Sequence, residues 1–212
     1  MEEHHITVPR TARYHTLGDP RTAQAIWIVL HGYGQLARYF LRNFEGLASD
    51  VLIAAPEGLS RYYTDAEHVR VGATWMTRED RGSEITDQHV YLDTLAEHLL
   101  TLVGRSAPIR VLGFSQGVAT AARWASLGRT RMDRLLLWGG SMPPDISAST
   151  LRTRWSALSV QLIHGEQDTL VPEAQLTQAE ARFREAGVAF HSHRHPGGHA
   201  LDKLLLQRLI TA

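Results

Sequence analysis

Ser115 lies between two glycines in Gly113-Phe114-Ser115-Gln116-Gly117, after the apolar run Ile109 to Phe114 and before the small-residue stretch Val118 to Leu127. A serine at a sharp strand-to-helix turn takes a strained backbone conformation. Side chains two residues to either side would collide with the chain, and glycine at 113 and 117 removes that collision. Such an elbow lifts the hydroxyl to the C-terminal edge of a sheet, where open α/β folds bind ligands. The backbone amide of Gln116, at the start of the following helix, then points toward a developing negative charge. The chemistry this permits is attack by a serine oxygen on an acyl carbon.

Serine needs a base, and the base an orienting acid. Four histidines fall near the C-terminus: His191, His193, His195 and His199. The first three alternate along an expected strand, so their side chains share one face. No carboxylate is interleaved with them, which favours a solvated or pH-sensitive face over a metal site. His199 differs, lying in Pro196-Gly197-Gly198-His199-Ala200, where glycines let a loop carry the imidazole over the serine. For the acid, Val160 to Ile163 leads into Gly165-Glu166-Gln167-Asp168-Thr169-Leu170-Val171-Pro172. Asp168 fits best and Glu166 is the alternative, while Asp145 and Asp202 fit less well; helix capping by Asp168 or Thr169 is the competing local role. The chain order Ser115, Asp168, His199 is nucleophile, acid, base. An oxyanion pocket needs a second amide, and His31-Gly32-Tyr33-Gly34-Gln35 follows the apolar run Ala25 to Leu30. Tyr33 is the expected donor, Gly34 the second choice, and His31 is read as structural.

The elements that must position these residues alternate. Apolar runs at Ala25 to Leu30, Val51 to Ala55, Ile109 to Phe114, Leu135 to Trp138 and Val160 to Ile163 are continuous, as in strands buried on both faces of a parallel sheet. Between them, Leu36, Phe40, Phe44 and Leu47 recur at helical spacing, as do Ile85, Leu92, Leu95, Leu99 and Leu102, with Gly104 as C-cap. Pro172-Glu173 opens a further helix that runs to Gly187. The pattern predicts one α/β domain over residues 1–212, with a mainly parallel sheet and helices on both faces. His4 to Val8 and Ala12 to Leu17 are expected to pair as an antiparallel hairpin at the sheet edge. Ser60 to Ser83 reads as the longest irregular stretch, and no insertion is large enough for a substantial cap.

Composition narrows the function classes. Of 212 residues, 22 are Lys or Arg and 22 are Asp or Glu, so no basic surface calls for nucleic acid or an anionic membrane. Cysteine is absent, which excludes disulfides, thiolate metal sites and a cysteine nucleophile. No apolar run approaches the ~20 residues that span a bilayer, so stable membrane insertion is not expected. The polar, acidic start Met1-Glu2-Glu3-His4-His5 lacks a signal-peptide pattern, and a cytoplasmic address is expected.

Four segments, His-Gly-Tyr-Gly at 31–34, Gly-Phe-Ser-Gln-Gly at 113–117, Gly-Glu-Gln-Asp-Thr-Leu-Val-Pro at 165–172 and Gly-Gly-His at 197–199, together resemble the phospholipase/carboxylesterase family of α/β-hydrolases. The resemblance implies the α/β-hydrolase fold and a triad of Ser115, Asp168 and His199. It also implies oxyanion donors at the Tyr33 and Gln116 amides, and hydrolysis of carboxylic esters or thioesters of small molecules without a cofactor or metal. Two places depart from the family pattern. Val118 follows the elbow where glycine is common, and after Thr74-Trp75-Met76 the sequence Thr77-Arg78-Glu79-Asp80 is not the usual continuation. Trp75, Met76, Tyr62 and Tyr63 are the candidate lining of a partly apolar, open pocket. A non-catalytic binding protein on the same scaffold is the alternative reading.

Overall fold

In the computed structural model, which describes residues 1–47 and 49–211, seven strands form one sheet in the order β1-β3-β2-β6-β7-β8-β9. These are β1 (Tyr14–Leu17), β2 (Ala25–Leu30), β3 (Val51–Pro56), β6 (Ile109–Phe114), β7 (Arg134–Trp138), β8 (Ser159–Gly165) and β9 (Phe190–His195). Every neighbouring pair from β3 to β9 is parallel, and only β1 runs antiparallel, on β3.

Residues within each central strand divide between two cores. Ile26, Ile28 and Leu30 face α2 (Arg81–Val103), α3 (Gln116–Leu127), α4 (Ala148–Arg154) and α5 (Glu173–Ala186). Trp27 and Val29 face the opposite layer, made by α1 (Ala37–Phe40), its 3-10 continuation Leu41–Phe44, and α6 (Lys203–Thr211). Both faces of β2 are therefore sealed, and all six of its residues are buried. That is why the strands read as unbroken apolar runs: period-2 alternation shows only where one face meets water. Gly104 and Gly187 close α2 and α5 in left-handed conformations, at φ 69° and 70°, as C-terminal glycines do.

The strand order reverses beside β2. The chain steps from β2 outward to β3, then returns to place β6 on the other side of β2. Loops leaving β2 and β6 diverge at such a point and open a crevice at the C-terminal ends of the strands. Leu30 and Gly113 are register partners, so the segments beginning at His31 and Phe114 emerge level with each other.

Two expectations are corrected. Tyr14–Leu17 is an antiparallel edge strand, but its partner is Ile53–Pro56 of β3, and His4–Val8 forms no strand. The edge of β3 offers a buried, complete ladder, whereas a free-standing hairpin would be marginal. The stretch read as irregular contains a second sheet, the antiparallel pair β4 (Ser60–Tyr63) and β5 (Val71–Thr74). No helix among the described residues is long and apolar enough to cross a membrane.

Candidate active site

The backbone at Ser115 has φ 54° and ψ −117°, outside the ordinary wells of an L-residue. Close packing of the backbone on both sides imposes it. A Cβ at 113 would lie 2.4 Å from the carbonyl oxygen of Gly117, and one at 117 would lie 2.4 Å from the carbonyl oxygen of Leu30. Gly140, just past β7, approaches equally closely: a Cβ there would sit 2.3 Å from the Ser115 carbonyl oxygen and 2.6 Å from Cβ of Val118. The valine at 118 thus occupies space that Gly140 leaves open. The Ser115 amide donates to the Trp138 carbonyl at 2.9 Å, fixing the elbow to β7.

The half-buried Ser115 hydroxyl donates to Nε2 of His199 at 2.9 Å, and Nδ1 of His199 donates to Oδ2 of Asp168 at 2.7 Å. The Asp168 side chain is 1% exposed. Its other oxygen, Oδ1, accepts the amides of Leu170 and Val171, each at 2.9 Å. Burial alone would raise the Asp168 carboxyl. The Val171 amide, the His199 ring and the Leu170 amide outweigh it and hold the group ionised, below its usual range. The His199 imidazole packs against Phe114, ring centroids 5.0 Å apart. Gly139, at φ 57°, passes beneath the pair, where a Cβ would come within 3.5 Å of Oδ2 and 3.6 Å of Nδ1.

The other acids have different partners. Glu166 is exposed, Asp145 is bound by Arg123 and Arg81, and Asp202 accepts the Leu205 amide at the start of α6.

In the turn after β2, the Gly32 amide donates to Oε1 of Gln35, the Gly34 amide to the Ala73 carbonyl and the Gln35 amide to the Gly32 carbonyl. Of the amides of residues 32–35, that of Tyr33 is left without a main-chain or side-chain acceptor among the described residues. The β4–β5 hairpin clamps the turn from above: Ala73 also donates to the Gln35 carbonyl, and Gly72 comes so close that a Cβ would lie 2.5 Å from the Gly34 oxygen. His31 is fully buried, its Nδ1 donating to the Gly32 carbonyl at 2.8 Å and its Nε2 accepting the Gly58 amide at 3.0 Å. It is structural, tying the turn to the β3–β4 connection.

The four pocket candidates separate. Trp75 is 1% exposed, donates its indole N–H to the His31 carbonyl and stacks on the His31 ring, so it belongs to the core. Met76 is half-buried beside Gln116, whose side-chain amide donates to the Met76 carbonyl at 3.0 Å. Tyr62 stacks on Tyr33 with centroids 5.3 Å apart, whereas Tyr63, on the opposite side of β4, is 56% exposed and pairs with His68.

Sequence reasoning missed Gly139 and Gly140, although a strand ending in Trp-Gly-Gly carries the same signal as the elbow itself. The solvated face expected for the β9 histidines also needs correction. His191 is exposed, but His195 is 4% exposed, because the strand runs inward until Trp138 covers its end.

The sequence profile of the phospholipase/carboxylesterase family matches residues 18–211. Among solved structures, the chain superposes on esterase PE8 (TM-score 0.70, 20% identity, 95% of this chain and 97% of that one). It likewise matches acyl-protein thioesterase 2 of Zea mays (TM-score 0.72, 17% identity, 95% and 97%). A carboxylesterase from Mesorhizobium loti gives a TM-score of 0.75 at 15% identity, with 95% of each chain covered. No curated protein sequence matches at a significant level. These strands, their glycine-lined turns and the family match over almost the full chain place this protein in the phospholipase/carboxylesterase family of α/β-hydrolases, enzymes that hydrolyse ester bonds.

Proposed function

We propose that this protein is a serine hydrolase that cleaves carboxylic esters of small molecules through an acyl-enzyme intermediate. The observation that carries the reading is His199, bound at once to the Ser115 hydroxyl through Nε2 and to the Asp168 carboxylate through Nδ1.

The mechanism follows from that geometry. Asp168 holds the imidazole with its proton on Nδ1, which leaves Nε2 free to accept the Ser115 proton as the oxygen attacks the acyl carbon. The new oxyanion settles between the amides of Tyr33 and Gln116, each worth ~10²-fold or more in rate. His199 then protonates the departing alkoxide, and the alcohol leaves. In the second half, His199 takes a proton from water as the water attacks the acyl-serine, and collapse of that intermediate returns the proton to Ser115. Nucleophile, proton carrier and oxyanion donors all come from the chain, so no cofactor or metal enters a step. The same sequence would cleave a thioester, with a thiolate as leaving group. A purely binding protein has no use for an ionised, buried aspartate aligned on a histidine that is itself aligned on a strained serine.

A fluorescent alkyl phosphonate tests the proposal directly. It should label the native protein, and Ser115→Ala should abolish both labelling and hydrolysis of p-nitrophenyl acetate while leaving the melting temperature unchanged. Turnover retained by a folded Ser115→Ala protein would refute it.

A further inference from the structure

His195 ends β9 four residues before His199, and the two loops that carry base and acid are joined at this point. The Glu166 amide donates to the His195 carbonyl at 2.9 Å, and the Gln167 amide donates to the Gly197 carbonyl at 3.1 Å. The Trp138 indole N–H donates to the Ala200 carbonyl at 3.1 Å, just beyond His199. Within this junction, Nδ1 of His195 accepts the Gly197 amide at 3.2 Å. An acceptor nitrogen carries no proton, so the proton of the neutral ring is on Nε2. That atom is buried without a hydrogen-bond partner among the described residues, and the ring lies against Trp138 at 5.5 Å between centroids.

We infer that His195 is a positioning residue for the base: its neutral Nδ1 pins the Gly197 amide, and with it the loop that delivers His199, and protonation of His195 releases that pin. This rests on the proposed role of His199. A proton on Nδ1 would turn the acceptor into a donor facing the Gly197 N–H, and two donors repel. The groups facing the ring are His164 on β8, Glu166 and Asp168 in the loop after β8, and Asp202 before α6. Within its own strand, Arg194 is committed to Glu173 and His193 to Gln161. Burial favours the neutral ring and outweighs the three carboxylates, while His164 acts in the same sense as burial.

Two substitutions separate the pin from simple packing. His195→Phe keeps a ring against Trp138 but offers no acceptor. His195→Asn puts an oxygen on the same Cγ branch as Nδ1 and does not titrate. With p-nitrophenyl acetate, His195→Phe should lower kcat ~10–100-fold with KM within about twofold, as a small misplacement of a catalytic group does. His195→Asn should recover most of that loss. The acid limb of log kcat/KM against pH should be steeper than about one in the native protein, since protonation of His195 adds its loss to that of His199, and have a slope of about one in His195→Asn. Equal kcat in His195→Phe and native protein would overturn the inference. If His195→Phe does not fold, an unchanged acid limb in His195→Asn would overturn it instead. A backbone readout keeps the test independent of the chemistry. The Gly197 amide resonance should titrate in the native protein and in Ser115→Ala, and stay flat in His195→Asn. A flat Gly197 amide in the native protein refutes the pin, whereas turnover by Ser115→Ala refutes only the esterase reading.

Discussion

Replacing Asp168 by Asn removes a charge from a site where each oxygen already has a fixed task. Oδ1 accepts two amides, from Leu170 and Val171, and Oδ2 accepts Nδ1–H of His199. An asparagine that keeps its oxygen toward the two amides must turn its NH2 toward His199. The imidazole can then meet it only as an acceptor at Nδ1, which moves the proton to Nε2, facing the Ser115 hydroxyl it should deprotonate. The opposite flip points the NH2 at two N–H donors, forfeiting two hydrogen bonds and adding repulsion in a side chain only 1% exposed. The first arrangement wins, and it is the wrong tautomer. The expected loss in kcat is ~10⁴-fold, equivalent to about 5.5 kcal/mol of transition-state stabilisation. Folding should be nearly intact, because the shape and the two amide bonds survive. The assay is p-nitrophenyl acetate hydrolysis with melting temperatures in parallel, and Glu166→Gln on the same loop as control. Glu166 is exposed, so its substitution should change kcat less than about twofold. A near-normal Asp168→Asn beside an inactive Glu166→Gln would transfer the acid's role to Glu166 and refute this reasoning.

Gly117→Ala places a carbon 2.4 Å from the Leu30 carbonyl oxygen; it should destabilise by ~1–3 kcal/mol and lower kcat ~100-fold through displacement of the oxyanion turn. Gly82→Ala, where a Cβ meets nothing within 4 Å, serves as control, and normal turnover in Gly117→Ala would count against the close approach of β2 and the elbow. Acid should destabilise the protein through His31, which burial holds below its usual value. The unfolded chain binds this proton near pH ~6.5 and the folded one only at lower pH, so stability is fully present above that value and falls as pH drops from it toward the folded value. Urea midpoints across this range check it, and a midpoint that rises on acidification would refute the buried neutral ring. Short acyl esters should be preferred over long ones, because the β4–β5 hairpin that clamps the turn after β2 is only four residues a strand and the sequence has no insertion large enough for a substantial cap; a kcat/KM that climbs steadily past a decanoyl chain contradicts an open site.

The positions that make local geometry were legible. Glycines at 113 and 117, a serine between them and a strand before them specify the elbow, because few other residues tolerate that backbone. His199 and Asp168 were readable as candidates for a related reason: Asp168 follows the apolar strand β8, His199 lies in the glycine loop after β9, and both loops leave the same sheet edge. What failed depends on partners far away in sequence. Trp75 reads as a pocket wall only while its neighbours are unknown; the His31 carbonyl and ring, 44 positions earlier, take it into the core. The edge strand Tyr14–Leu17 was placed correctly but given the wrong partner, since pairing with β3 depends on long-range assembly that periodicity does not encode. His195 shares its alternation with His191, yet one is buried and the other exposed, because Trp138 covers a single end of β9.

The strain at Ser115 explains why the site needs so much backbone around it. A non-glycine residue held in such a conformation costs ~1–3 kcal/mol and persists only where its surroundings leave no alternative. Here β2, β6 and β7 lie side by side, with Gly113 registered against Leu30 on one flank and Leu137 on the other. From β7 the Trp138 carbonyl takes the Ser115 amide, and Gly140 approaches the Ser115 carbonyl. From β2 the Leu30 carbonyl closes on Gly117. Relaxing the serine would therefore require moving two parallel strands that are buried on both faces. The same contacts that hold the strain bring the β2 turn against the elbow, where a Cβ on Gly32 would lie 3.1 Å from Cβ of Ser115. Under the proposed mechanism, serine conformation and oxyanion pocket are one construction, which is why a single added methyl at 117 should damage both stability and turnover.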